Sequence, residues 1–506
     1  MAYLRLSLPD EFDGATCDIT IFTPAGVFTD GTINLEDGKL AYTNSSKNYI
    51  KLTRQIDKDN PLLVAIPPME AGNKTLSFSI KKGDVYYEAI LSGDASKNIV
   101  AGAYYSATLS LTEVIPYITF IAAGPQGVKY NGTDLEWSTD RTNWSSVWTN
   151  YVQFGNGTKV YVRAFDDGDN ETVDNSDGTS YSNGTGDTSY SKFSFQNNNN
   201  VPVACTGDIR TLIDGAKYKT VDTGKAKFGT LFKDCKTLTT APELPATTLA
   251  GNCYELMFQG CKKLTIAPAL PAEKLTGYCY NSMFLGCTEL TTAPALPATT
   301  LAEGCYKQMF YNCSGLTSAP ALPATTLYAS CYNSMFYGCT SLTAVPILPA
   351  TTLADRCYQS MFSGCTGLTT ALILPATTLA ERCYQSMFSG CTGLTTAPIL
   401  PATTLAERCY ESMFMSCTQL TKAPDLPATI LVVSCYETMF THCKNLNSIK
   451  AMFTTDPIVN NSTASWLLNV AATGIFVKNP DAEWDENDFR SNSQMPINWN
   501  VVKASN

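Results

Sequence analysis

The sequence predicts a mainly β protein with short helices: two N-terminal β-rich modules, then a repeat solenoid of 26-residue units, then a C-terminal cap. Three observations carry this. The dipeptide Met-Phe recurs in register at Met257, Met283, Met309, Met335, Met361, Met387, Met413 and Met439, always 26 residues on. The first 205 residues lack that period and alternate apolar with polar residues over short stretches. After Leu446 the period breaks and large aromatic residues gather.

The first module, residues 1–114, is marked by the alternating stretches CDITIFTP, KTLSFSI and VYYEAIL, with turn signals at Asp-Gly and Gly-Asp-Ala. The second, residues 115–205, holds LEWSTDRTNW and KVYVRAF, then a polar loop over 166–200. That loop carries Asp166, Asp167, Asp169, Glu171, Asp174 and Asp177. Such oxygen density suits calcium, but the ordered 12-residue loop pattern is absent, and the segment reads as a solvated loop.

The repeat array occupies residues 206–450. A fixed period without insertions means stacked copies of one supersecondary unit. A residue facing the axis meets its own copies above and below, so it must be apolar and nearly constant in size. Leu368, Ala371, Leu374, Leu379, Cys383, Met387, Phe388 and Cys391 mark those positions in one unit. Leu231-Phe232 is a divergent first copy. The stretch LTTA is expected to be extended and to end at the following proline (Pro242, Pro268, Pro294, Pro320, Pro346, Pro398, Pro424), which cannot donate to a ladder. One unit has Leu372 there and is expected to run a residue longer. AERCYQSMFSGC is expected to form a short helical turn, ended by Gly364, Gly390 or Asn312 and their equivalents.

Cysteines number 19, and 17 of them lie between Cys235 and Cys443. Each unit holds a pair eight apart, such as Cys357 and Cys365. Zinc sites favour tighter spacing, so two ladders of small buried hydrophobes are expected rather than a metal site. A tyrosine follows the first cysteine in eight units, from Tyr254 to Tyr436, and is expected to be structural with its hydroxyl at the surface. Residues 451–506, with Phe453, Trp466, Leu467, Phe476, Trp484 and Trp499, are expected to close the otherwise sticky end of the stack.

Composition bounds the function. The chain has 506 residues, of which 44% are hydrophobic and 16% charged, with 35 basic against 45 acidic side chains. No basic run exists to meet a nucleic-acid backbone. A single histidine, His442, leaves little for histidine-based catalysis or multi-histidine metal sites. Its neighbour Cys443 continues a core ladder, so its thiol should point inward. No apolar run approaches the ~20 residues of a membrane helix. The start, MAYLRLSLPDEFDG, shows no secretory signal. Neither a catalytic residue nor a cofactor site is expected.

The unit resembles the BspA-like leucine-rich repeat. Leu394, Ala397, Pro401, Leu405, Cys409, Met413, Phe414 and Cys417 occupy that pattern's places, and LTTAPELPATTLA and CYxSMFxGCT look like repeat proteins of gut Bacteroidetes. Cys409 stands where the family usually has isoleucine, and the strand carries an added proline. LVAIPPM, SFSIKKGDVYYEAILSGD and AGAYYSATLSLT are similar to one lobe of the fimbrillin-like proteins, implying a β-sandwich for residues 1–114. Residues 115–205 resemble the module that precedes such repeats in related surface proteins. The resemblance implies a non-enzymatic adhesion protein, at the cell surface or secreted, that binds an extracellular protein or glycan and assembles with other surface or fibre subunits. The alternative is a phage tail-fibre or receptor-binding virion protein; an enzyme with an accessory repeat arm would need a catalytic cluster within 1–205, which shows none.

Solenoids act through a long surface, so positions that vary between units are the candidates for contact. The residue after Phe is Gln259, Leu285, Tyr311, Tyr337, Ser363, Ser389, Met415 and Thr441 in successive units. Leu285, Tyr311 and Tyr337 would adjoin in a stack, with Tyr328 nearby, as a candidate ligand-contact patch. Asp355-Arg356, Glu381-Arg382 and Glu407-Arg408 form a second stripe, expected to pair with itself.

Overall fold

A computed structural model describes residues 117–132, 135–164, 191–196, 200–213, 228–370 and 373–505 throughout, with the short strands Tyr181–Ser182 and Thr188–Ser189. Before residue 117 it describes strands, residues 8, 12, 13 and 15 between them, and a few side chains. The acidic residues of the 166–200 loop, and Ala371 and Leu372, lie outside the described residues.

Period-two alternation builds the N-terminal sheets. Thr16–Phe22 lies between Tyr49–Gln55 and Thr75–Lys82, antiparallel to both, with Val85–Ser92 and Thr112–Glu113 completing five strands. Cys17 and Ile19, two residues apart, are both buried, as one face of a strand requires. Ala2–Ser7 pairs antiparallel with Leu62–Ile66 and parallel with Tyr104–Thr108.

From residue 117 onward the core is continuous. Ile118–Ala122 pairs with Val160–Ala164 and Val203–Thr206, and Leu135–Ser138 flanks them. The far neighbour of Val203–Thr206 is Leu238–Thr240, the first extended segment of the repeats, joined in parallel at Val203 and Leu238. Phe193 stacks on Phe232 at 5.4 Å, so the second β-rich region covers the first coil of the array. One hydrophobic cluster runs from Ile118 to Trp499.

Within the repeats, Leu368, Leu374, Cys383, Met387, Phe388 and Cys391 are buried and Leu379 is half-buried. Identical rings stack 26 residues apart. Phe336 and Phe362 lie 5.6 Å apart within 2° of parallel, and Tyr332 and Tyr358 lie 5.8 Å apart within 6°. Each buried phenylalanine contributes roughly 1.5–3 kcal/mol, and the offset stack adds to that. The LTTA segments join only at single parallel bridges, such as Thr292 with Ser318 and Thr370 with Thr396, because proline ends each one.

The segment read as a helical turn is not helical. Its backbone advances in four-residue turns, with left-handed residues at Arg356, Ser360 and Gly364 (φ 55°, 54° and 74°). Alternate amides bond differently. Gln359 N–H and Met361 N–H donate three residues back, to Arg356 and Tyr358. Tyr358, Ser360, Phe362 and Gly364 donate instead to Cys383, Gln385, Met387 and Ser389 of the next coil. A helix would keep all these bonds to itself. This arc turns like a helix and bonds like a parallel sheet, which satisfies every amide of a buried ring-bearing segment. Gly364 and Gly390 are therefore the left-handed corners of turns, not helix ends.

A second expectation also fails. The tyrosine hydroxyls are not at the surface: Tyr254 through Tyr436 are each 1% exposed and form a column beside the phenylalanines. Both columns end on Trp466, which lies 5.7 Å from Tyr436 and 5.9 Å from Phe440. Phe453, Phe476 and Phe489 pack around it, and Trp484 packs in turn on those three rings. Ser448–Ala451, Thr473–Lys478 and Asn498–Lys503 form a parallel sheet over this end. The α-helix Glu486–Ser493 lies here, capped by Asp485, whose carboxylate accepts from Asn487 and Asp488 N–H.

Candidate binding surface

The turn arc, as in the coil of Cys357, points Cys357, Tyr358, Met361, Phe362 and Cys365 inward and leaves Gln359 and Ser360 half-buried at the outside. Most outward positions satisfy one another between coils. Asn333 Nδ2 donates to Gln359 Oε1 at 2.7 Å, and Gln359 donates to Gln385. Ser412 and Thr438 hydroxyls meet at 2.7 Å, and Asn281 donates to Glu255. Such ladders present little unsatisfied polarity to a ligand.

The position after phenylalanine breaks this rule. Ser363 and Ser389 are buried there, and Ser363 Oγ donates to the Ser389 carbonyl. Tyr311 and Tyr337 instead lie half-buried and stack at 4.4 Å, within 3° of parallel. Burial first, then the neighbouring Tyr337 hydroxyl, raises the Tyr311 pKa above the ordinary tyrosine value. Leu285 occupies the same place one coil earlier, half-buried, and Gly286 N–H beside it donates to the Tyr311 carbonyl. Leu285, Tyr311 and Tyr337 thus follow one another on consecutive coils. Tyr328 stands two turns before Tyr337 in its own coil and is 47% exposed, where most coils carry alanine.

The charged stripe pairs with itself. Arg356 reaches Glu381 at 3.5 Å, Arg382 pairs with Glu381, and Arg408 lies 3.4 Å from both Glu407 and Glu411. These exposed pairs contribute little each. His442 Nδ1 meets Asn469 Nδ2 at 3.0 Å, while the neighbouring Cys443 thiol donates to the Phe414 carbonyl at 2.9 Å. The two side chains therefore serve different partners and form no nucleophile–base pair. The 17 cysteines from Cys235 to Cys443 are buried free thiols. In the second ladder each thiol donates to a phenylalanine carbonyl, as Cys391 does to Phe362 at 3.1 Å. Burial pushes the Cys383 and Cys391 thiols up to about 12, far from a reactive thiolate.

One set of exposed residues escaped the sequence reading. Ile347, Ile373 and Ile399 sit between the two prolines of the extended arc or its equivalent, 75%, 62% and 61% exposed. Their signal was available: that slot reads Glu, Ala, Ala, Ala, Ile, Ile, Ile, Asp along the array, varying as freely as the slot after phenylalanine.

The repeat segment matches the family model described as BspA type leucine rich repeat region, in six copies spanning residues 229–465. The match covers residues 229–465, just under half of the chain. No curated protein matches the chain. The BspA-type region coincides with the stacked ring columns and takes in Trp466's neighbours at their end. Among the described residues, no helix is long and apolar enough to cross a membrane, and no three or more His, Cys, Asp or Glu side chains gather as a metal site would require.

Proposed function

We propose that this chain is a non-enzymatic surface binding protein. Residues 206–450 act as a solenoid of 26-residue units that presents Leu285, Tyr311 and Tyr337, with Tyr328 nearby, to an extracellular protein or glycan. The β-rich regions 1–114 and 115–205 serve as anchor and spacer, and 451–506 closes the far end. The observation that carries the reading is the Tyr311–Tyr337 stack at 4.4 Å, in a slot that the next two coils fill with buried serine. Rigid aromatic rings with polar tips are favoured anchors in binding interfaces, because they offer large area at little entropic cost. BspA-type repeats support the same reading, since stacked repeats offer an extended surface.

The test is binding of the full chain to immobilised extracellular-matrix proteins and to a glycan array. Wild type is expected to bind members of one class. The double variant Tyr311→Ser, Tyr337→Ser is expected to lose at least tenfold in affinity while keeping its circular dichroism spectrum. Undiminished binding by that variant would remove the patch from the proposal.

A further inference from the structure

The extended arc of the coils carries a second, chemically different face. In five consecutive coils, residues 291–300, 317–326, 343–352, 369–378 and 395–404, the arc contains no charged and no aromatic side chain. It holds threonine, serine, alanine, valine, proline, leucine and isoleucine only. Charge returns at both ends: Glu273 and Lys274 before it, Lys422 and Asp425 after it, all exposed. Two of the outward threonines are less polar than they look. Thr317 Oγ1 donates to the Thr291 carbonyl at 3.3 Å, and Thr395 Oγ1 to the Thr369 carbonyl at 3.0 Å, so these hydroxyls are tied back to the preceding coil. Ile347, Ile373 and Ile399 stand out from this face in three successive coils. Parallel bridges at Thr352 with Thr378 and Thr370 with Thr396 place neighbouring coils at about one strand spacing, ~5 Å.

We propose that this face docks a second copy of the same chain. A row of identical side chains at ~5 Å spacing is best complemented by a surface with the same spacing, because only then do the two rows stay in register along their whole length. The same face of another copy has that spacing. Absence of charge disfavours a charged partner, and absence of aromatic rings sets this face apart from the tyrosine patch. The size agrees. Eight of each arc's ten residues, at ~3.3 Å rise, and five coils at ~5 Å spacing give about 650 Å² per copy, or about 1,300 Å² for the pair, near the lower limit of a specific interface. A two-fold axis through Ile373 sets Ile347 of each copy against Ile399 of the other, the self-complementary contact of an isologous dimer. This proposal does not depend on the tyrosine patch binding anything.

Sedimentation velocity of the full chain, between about 1 and 100 μM, tests it in the range where an interface at this size limit dissociates. Wild type is expected to pass from monomer to dimer. Ile373→Lys and Ile373→Asp are each expected to weaken the dimer at least tenfold, with unchanged melting temperature because the side chain is exposed. Mixing the two variants is expected to restore a dimer, since lysine then faces aspartate at the axis. A wild type that stays monomeric, a dimer unaffected by both variants, or a mixture that stays monomeric would each overturn the proposal. Should either variant lose its circular dichroism spectrum, the double variant Ile347→Thr, Ile399→Thr keeps the β-branched shape and is expected to be monomeric; a wild-type dimer constant for it would be equally fatal.

Discussion

Tyr311 and Tyr337 stack at 4.4 Å, whereas Phe310 and Phe336, the residues immediately before them, stack at 5.5 Å. The inner distance is set by the coil spacing, because each phenylalanine is held from both sides by its own copies. The outer rings have solvent on one side and close on each other to reduce the surface they show to water. The core and the surface of the same two coils thus obey different constraints.

Replacing both outer rings by serine should therefore leave the fold intact. The double variant Tyr311→Ser, Tyr337→Ser is expected to cost at most about 1–2 kcal/mol, the range for partly exposed positions. Urea unfolding reads this directly. A larger loss would mean the pair supports the stack rather than presenting a surface.

The inner columns should respond differently. Phe362 has rings above and below at 5.6 and 5.8 Å. Phe362→Ala leaves a cavity in mid-stack and is expected to cost about 3–5 kcal/mol. Tyr332 gives a sharper test: its hydroxyl is buried and meets no protein hydrogen-bond partner among the described residues. Tyr332→Phe removes that desolvated group and is expected to raise stability by about 1 kcal/mol. A fall in the unfolding midpoint of Tyr332→Phe would show that the hydroxyl is satisfied in solution.

What the sequence disclosed was the set of inward residues, because stacking forces Met387, Phe388 and Cys391 to repeat with little change. It did not disclose how the backbone carries them. Gly364 announces a left-handed residue, and a helix end was the nearest familiar reason for one. Ser360 and Arg356 adopt the same conformation four and eight residues earlier without any residue type that demands it. The buried tyrosines were misplaced for a related reason: a polar tip argues for water, and only the ring stack shows what outweighs it. The contact between Val203 and Leu238 joins segments with no common pattern, so nothing in either predicted it. On the candidate surface, the tyrosine pair was legible as variation after a constant Phe. The isoleucine row was equally variable, but lay in an arc read only for its prolines.

The turn geometry predicts a contrast between two glycines of the turn region. At Gly364 a Cβ would meet Gly338 at 3.6 Å, an ordinary contact, so the cost of alanine comes only from φ at +74°. Gly364→Ala is expected to cost about 1–2 kcal/mol. At Gly393 a Cβ would lie 2.5 Å from the Thr366 carbonyl of the preceding coil. Gly393→Ala must push two coils apart and is expected to reach or exceed the top of the 1–3 kcal/mol range, about that of an overpacked core. Equal midpoints for the two variants in thermal unfolding would contradict the arrangement.

The thiol ladders predict sensitivity to alkali. Burial raises the Cys383, Cys391 and Cys443 pKa values to about 12 in the folded chain, against about 8.5 for an unfolded thiol. A raised folded pKa means the unfolded chain releases its protons first as pH rises. Below about 8.5 both states hold the proton and the ladders' contribution is intact. From there to about 12 each such thiol withdraws up to about 1.4 kcal/mol per pH unit. The melting temperature should be flat from about pH 6 to 8 and then fall steeply, and thiol reagents should label the native chain only at the rate of its unfolding. Replacing Cys383, Cys391 and Cys443 by alanine should shallow the alkaline slope even though each substitution lowers stability at neutral pH. An unchanged slope in that triple variant would mean that the stack lets its thiols ionise in place, and hence that water reaches the ladders that the geometry shows as sealed.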